Sequence, residues 1–110
     1  MKKAELSALM DSLGIAPSKK LGQNFLIDDN FLDSIIRIAD IKPDDKVIEV
    51  GPGFGALTER LLKTGASVAA IEFDRKLAAW LRLTYANRGL CLIEGDACKI
   101  DVAGIYGADT

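Results

Sequence analysis

The sequence predicts an α/β protein built on a parallel, doubly wound sheet, and three observations predict it. Apolar runs of strand length alternate with helical periods from residue 46 onward, in the order β-α-β-α-β. That alternation calls for parallel strands joined by right-handed crossovers. The stretch Glu49-Val50-Gly51-Pro52-Gly53-Phe54-Gly55-Ala56 combines a strand end, a tight glycine turn and a helix start. Polar or glycine features then fall at all three strand ends: Gly51, Gly53 and Gly55 after the first, Glu72 after the second, Asp96 after the third. Doubly wound sheets bind ligands at those carboxyl ends, and the expected strand order is 3-2-1.

Two helices precede the sheet. Ala4 to Leu13 places Leu6, Leu9, Met10 and Leu13 on one face, with Gly14 as a stop. Pro17 to Leu26 shows no period and reads as an ordered loop. Asp29 or Asn30 can cap a second helix to about Ala39, whose buried stripe is Phe31, Leu32, Ile35, Ile36 and Ala39. Lys42-Pro43-Asp44-Asp45 is a turn, and Lys46 to Val50 is the first strand. The helix from Ala56 to Lys63 stops at Thr64-Gly65 and turns Leu57, Leu61 and Leu62 to the sheet. Ser67 to Glu72 is nearly all apolar, as a parallel strand covered on both faces should be. Asp74 caps a helix reaching about Ala86, with Leu77, Ala78, Leu81 and Tyr85 on one side, and Asn87-Arg88-Gly89 ends it. Leu90 to Glu94 is the third strand. No fourth strand is expected between Val102 and Thr110, so one edge of the first strand is expected to stay open. The expectation is the N-terminal part of a longer protein, truncated after the third parallel strand.

Composition narrows the class. The 110 residues suffice for one domain, and 49% hydrophobic with 27% charged residues is an ordinary globular balance. No apolar run approaches the roughly 20 residues of a membrane span. Lys2 and Lys3 are not followed by the apolar core of a secretory signal, so the cytoplasm is the default location. A net charge of -2 argues against a generic nucleic-acid binder. Met1 to Lys20 nonetheless carries Lys2, Lys3, Lys19 and Lys20 against Glu5 and Asp11, a basic segment able to touch phosphate or simply to be solvated. Cys91 and Cys98 lack C-x-x-C spacing and the chain has no histidine, so no metal site is expected. Both cysteines are expected as small core hydrophobes. The missing histidine also removes the commonest general base.

The glycine turn alone does not choose its ligand. Gly51-x-Gly53-x-x-Ala56, with Glu72 about 20 residues on, fits a dinucleotide fingerprint. Gly51-x-Gly53-x-Gly55 with Glu49 before it fits S-adenosylmethionine equally well. Asp96 favours the second, since an acid after the third strand can accept from an adenine amino group. Glu49 does too, because a cofactor with a sulfonium and an amino group prefers a negative environment, whereas a pyrophosphate does not.

These residues, with Leu21-Gly22-Gln23-Asn24-Phe25-Leu26, Glu72-Phe73-Asp74 and Gly95-Asp96-Ala97, resemble the ribosomal RNA adenine N6,N6-dimethyltransferases of the small-subunit type. The likeness covers roughly Ser18 to Asp101 and includes Leu57-Thr58 after the glycine turn. It implies a Rossmann-like S-adenosylmethionine-dependent methyltransferase fold. Residues 1–27 would form an N-terminal helix and cofactor-lining loop, and 28–110 the first half of the methyltransferase domain. Gln23, Asn24 and Leu26 would line the methionine and adenosine side, and Gly51 and Gly53 let the backbone approach. Glu72 would hold the ribose hydroxyls and Asp96 the adenine amino group, and Ala97 would also line the cofactor. Lys19 and Lys20 would meet RNA. The partner is ribosomal RNA in the small subunit, the enzyme a monomer at full length. The family's Asn-Leu-Pro-Tyr element, where the target base stacks, does not occur between Met1 and Thr110. The resemblance puts it beyond Thr110, so no catalytic residue is expected within this chain, and the chain alone is expected to be inactive. The competing readings are a nicotinamide-dependent oxidoreductase half-domain and a non-catalytic cofactor- or RNA-binding fragment.

Overall fold

The computed structural model describes residues 29–107. The helix expected over Ala4 to Leu13 and the loop from Pro17 to Leu26 lie outside them. Thr110, beyond which the target-base element is expected, lies outside them as well, so the expectation of a chain without catalytic residues is neither supported nor opposed by the fold. The described elements are α1 (Asp29–Ala39), β1 (Lys46–Val50), α2 (Ala56–Lys63), β2 (Ser67–Glu72), α3 (Arg75–Thr84), β3 (Cys91–Glu94) and a short 3-10 turn, Val102–Gly104. The three strands form one parallel sheet in the order β1-β2-β3, with Val47 opposite Val68 and Ile71 opposite Ile93. This is the expected order seen from the other edge. Two right-handed crossovers stepping the same way place α2 and α3 on one face. There α2 packs on β2, and α3 on β2 and β3.

Burial explains why β2 is central. Val68, Ala69, Ala70 and Ile71 are all buried, flanked by a strand on each side. Against them lie Leu61 from α2 and Leu77, Ala78 and Leu81 from α3. Phe54, in the glycine turn, meets Trp80 of α3 edge to face, with ring centroids 5.7 Å apart. Asp74 caps α3 as expected, its side chain accepting from the N–H groups of Lys76 and Leu77. The turn before β1 closes reciprocally: Asp45 N–H donates to the Lys42 carbonyl, and Lys42 N–H to the Asp45 carboxylate.

Several expectations need correcting. Asp29 and Asn30 both lie within helix α1, so neither stands outside it as a cap. Asp29 instead pairs with Arg60 of α2 at 2.7 Å, and Asp33 pairs with the same guanidinium at 2.8 Å. Of the foreseen stripe on α1 only Leu32 is buried, while Phe31 and Ala39 are exposed. Among the described elements α1 packs chiefly on α2, which covers one narrow strip of it. Helix α3 ends at Thr84, two residues before the expected Ala86, with Tyr85 as its cap. Cys91 and Cys98 are not core residues: both are free and exposed, one on the edge strand β3 and one in the loop beyond it. Beyond that loop, Tyr106 reaches back, its hydroxyl donating to the Val47 carbonyl at 3.0 Å.

The glycine turn is clamped from α3. The Tyr85 hydroxyl donates to the Gly55 carbonyl at 3.2 Å, thirty residues away in sequence. Burial, with Glu59 nearby, pushes that hydroxyl up to about 12, so it remains a neutral donor. Gly55 has φ 83°, and a Cβ there would sit 2.6 Å from the Tyr85 oxygen. Gly55→Ala therefore meets both a disfavoured backbone and a clash, and it should lose more than ~1 kcal/mol of stability. Tyr85→Phe, which removes only the donor, should lose about 0.5–1.5 kcal/mol. Urea unfolding of the two variants checks this order.

Candidate cofactor site

The site is built where β1 and β2 end. Glu49, on β1, is 8% exposed, and Glu72, the last residue of β2, is 6% exposed. Carboxylates are rarely buried without partners. Glu72 has clear ones: its Oε1 accepts from Gly53 N–H at 3.2 Å and its Oε2 from Asp74 N–H at 2.8 Å. One carboxylate thus joins the turn after β1 to the start of α3. A carboxylate has about four lone-pair sites, so two hydrogen bonds leave room for two ligand hydroxyls. The backbone ladder continues past the strands, with Gly51 N–H donating to the Ile71 carbonyl and Gly95 N–H to the Glu72 carbonyl, both at 2.9 Å.

Glu49 is the less balanced of the two acids. The Thr58 hydroxyl, on the buried face of α2, donates to its Oε1. No lysine or arginine pairs with it among the described residues. Burial pushes Glu49 from its ordinary 4.5 up to about 7; the Thr58 hydrogen bond opposes the rise and the charge of Glu72 adds to it. A buried acid held up in this way, with a second acid beside it, is a favourable neighbour for a cation and an unfavourable one for a pyrophosphate.

The turn leaves space for a ligand. Gly51 and Gly53 have φ of 70° and 60°, and a Cβ on either would meet nothing within 4 Å. Their backbone borders open space in a conformation that other residues rarely adopt. The N-terminus of α2 follows, with no side chain capping it.

The structure brings Glu49, Gly51, Gly53, Glu72, Asp96 and Ala97 to one end of the sheet. Asp96 lies in the loop after β3, its carboxylate accepting from Cys98 N–H at 2.9 Å and its carbonyl from Lys99 N–H. It is a turn-forming residue and half-buried, both at once. Gln23, Asn24, Leu26, Lys19 and Lys20 lie outside the described residues. Three further residues border the candidate site and were not among the site residues expected from sequence. Thr58 supports Glu49, and Tyr85 supports Gly55. Phe73 stands 75% exposed between Glu72 and Asp74, an apolar surface fixed on both sides by those anchored residues. Thr58 carried a signal: a polar residue among Leu57, Leu61 and Leu62 on a buried helical face requires a hydrogen-bond partner. Phe73 carried one as well, as a large aromatic beside a strand-end acid.

Comparison with known proteins gives a consistent picture. The sequence profile of the family described as ribosomal RNA adenine dimethylase matches residues 16–107. The ribosomal RNA small subunit methyltransferase A of Moorella thermoacetica is 48% identical over 105 residues, covering 91% of this chain and 36% of that protein. The chain thus spans about a third of the length of this relative. Among solved structures, the 23S rRNA methyltransferase ErmE superposes with a TM-score of 0.64 at 31% identity, covering 69% of this chain and 32% of ErmE. A dimethyladenosine transferase from Plasmodium falciparum gives 0.61 at 36% identity, over 66% of this chain and 28% of that one. The glycopeptide N-methyltransferase MtfA, solved with S-adenosyl-L-methionine, gives 0.51 at 27% identity, over 59% of this chain and 29% of its own. The fold is the Rossmann-like fold of S-adenosylmethionine-dependent methyltransferases, and the chain belongs to the ribosomal RNA adenine dimethylase family.

Proposed function

We propose that this chain supplies the cofactor-holding part of an enzyme that dimethylates adenine N6 in small-subunit ribosomal RNA. The single observation that carries the reading is the acid Glu49, buried beside the open glycine turn and paired with no cation among the described residues. The cofactor is S-adenosyl-L-methionine, which when bound supplies an electrophilic methyl group on its sulfonium. Glu49 stabilises the positive charge of the methionine part. Gly51 and Gly53 let the ligand approach the backbone. Glu72, already held by two N–H groups, receives the ribose hydroxyls. Asp96 accepts from the adenine amino group, Ala97 lies beside it, and the exposed ring of Phe73 offers the adenine an apolar surface. Gln23, Asn24 and Leu26 complete the lining, and Lys19 and Lys20 contact RNA phosphate. The chain spans about a third of its small-subunit relative, and no Asn-Leu-Pro-Tyr element for stacking a target base occurs within its 110 residues. The small-subunit substrate is favoured because the small-subunit relative, at 48%, is closer in sequence than the 23S enzyme, at 31%. The enzyme acts as a monomer in the cytoplasm, without a metal. Among the described residues no helix is long and apolar enough to cross a membrane, and no cluster of potential metal ligands occurs.

The chemistry suits a chain without histidine. The adenine amino lone pair is delocalised, so transfer depends on alignment of nitrogen and methyl and on accepting the amino protons, which is positioning and electrostatics. Nothing in that scheme requires a strong base.

Isothermal titration of the chain with S-adenosylmethionine and with NAD tests the cofactor: heat with the first and none with the second is expected, and the reverse would refute the reading. The pH dependence has a defined sign. A cation favours ionised Glu49, whose pKa is raised to about 7 in the free protein, so binding releases a proton below that pH. Affinity should therefore fall as pH drops below 7, approaching about tenfold per unit. Glu72→Gln should weaken binding by roughly tenfold, since a hydrogen bond to a charged group is worth about 1.5–3 kcal/mol. Phe73→Ala should raise Kd for S-adenosylmethionine and leave the unfolding midpoint unchanged. The 110 residues alone should transfer no methyl to small-subunit particles, as radiolabelled methyl incorporation would report.

A further inference from the structure

Thr58 is fully buried, yet it is polar and sits on the helix face that packs against the sheet. A valine would fill the same volume without requiring a partner. Its hydroxyl is committed to one place, Glu49 Oε1. Three described groups bear on Glu49: the Thr58 hydroxyl on α2 by a hydrogen bond, and the Glu72 carboxylate on β2 and Tyr85 at the end of α3 through charge. Of these three, only Thr58 donates a hydrogen bond to it. Glu72 repels its charge, and the Tyr85 hydroxyl is turned to the Gly55 carbonyl.

We propose that Thr58 is a positioning residue for the cofactor: its hydroxyl anchors one oxygen of Glu49, so that the carboxyl group is correctly turned to receive the cationic end of S-adenosylmethionine. The inference rests on the cofactor reading above. The anchor acts in two ways. It fixes a rotamer that would otherwise be free to turn from its neighbour Glu72. It also opposes the upward push of burial on the acid, so that more of the carboxylate is ionised near neutral pH. A threonine with a purely structural role would do neither.

The test uses the 110-residue chain, S-adenosylmethionine as the titrant, and calorimetry from about pH 5.5 to about 8.5, a range set to span the rise and plateau of a single carboxylate. Thr58→Val keeps the shape and removes the donor. It should raise Kd near pH 7 by about tenfold, and it should move the midpoint of the pH profile upward. Thr58→Ser restores the donor and should recover most of the affinity and the parental profile. In a Glu49→Gln background, Thr58→Val should add less than about twofold, because it acts through an acid no longer there. If Thr58→Val unfolds the chain, as circular dichroism would show, Thr58→Ala removes the same donor and is read in the same way. Equal affinity and an unchanged pH midpoint in a folded variant would overturn the proposal, as would a full tenfold loss persisting in the Glu49→Gln background. No binding by the parent chain would instead refute the cofactor reading itself.

Discussion

The Glu72 carboxylate is the constraint on which the site depends. It is buried, it ends the central strand, and it accepts from the backbone on both sides of it. Through Gly53 it fixes the turn after β1, and through Asp74 it fixes the residue that caps α3. Without it, two N–H groups would be left unbonded in a half-buried setting, at a cost of about 1–3 kcal/mol each. The geometry of turn, strand and helix is therefore established by the protein before any ligand arrives. A ligand meeting such a surface does not have to order it first.

The second feature is electrostatic. Two acids lie buried at adjacent strand ends, and no basic residue answers Glu49 among the described residues. Two arginines of the described residues are engaged with other acids: Arg60 holds Asp29 and Asp33, and Arg88 pairs with Glu59. Those pairs are at the surface and contribute little to stability. Their arrangement matters more for what it leaves alone. The negative charge at the turn remains available to a positively charged ligand, and this separates the site from a dinucleotide fold with the same glycine spacing.

Much of this was legible in the sequence, for local reasons. The bounds of β1, α2 and β2 agree with expectation because glycine, proline and acidic residues punctuate them. The carboxyl-end placement of Glu49, Glu72 and Asp96 followed from parallel topology. What was not legible depends on contacts distant in sequence. Thr58 reaches back nine residues and Tyr85 thirty, and neither spacing is a motif. The stripe on α1 was over-read because periodicity shows which face is apolar and not how wide a neighbour covers it. The cysteines were misplaced because small hydrophobes on an edge strand or loop have no periodic signature distinguishing them from core residues.

Position 55 is tied to position 85. The glycine at 55 is held by its backbone and also by the tyrosine ring, while those at 51 and 53 border open space, where backbone conformation and the room a ligand needs are what favour glycine. A larger residue at 55 needs both a new local conformation and a smaller residue at 85, so a lineage making either change first passes through a less stable intermediate. Three glycines that look like one repeated letter in the sequence are thus required for different physical reasons, and substitutions among relatives should accumulate at unequal rates across them.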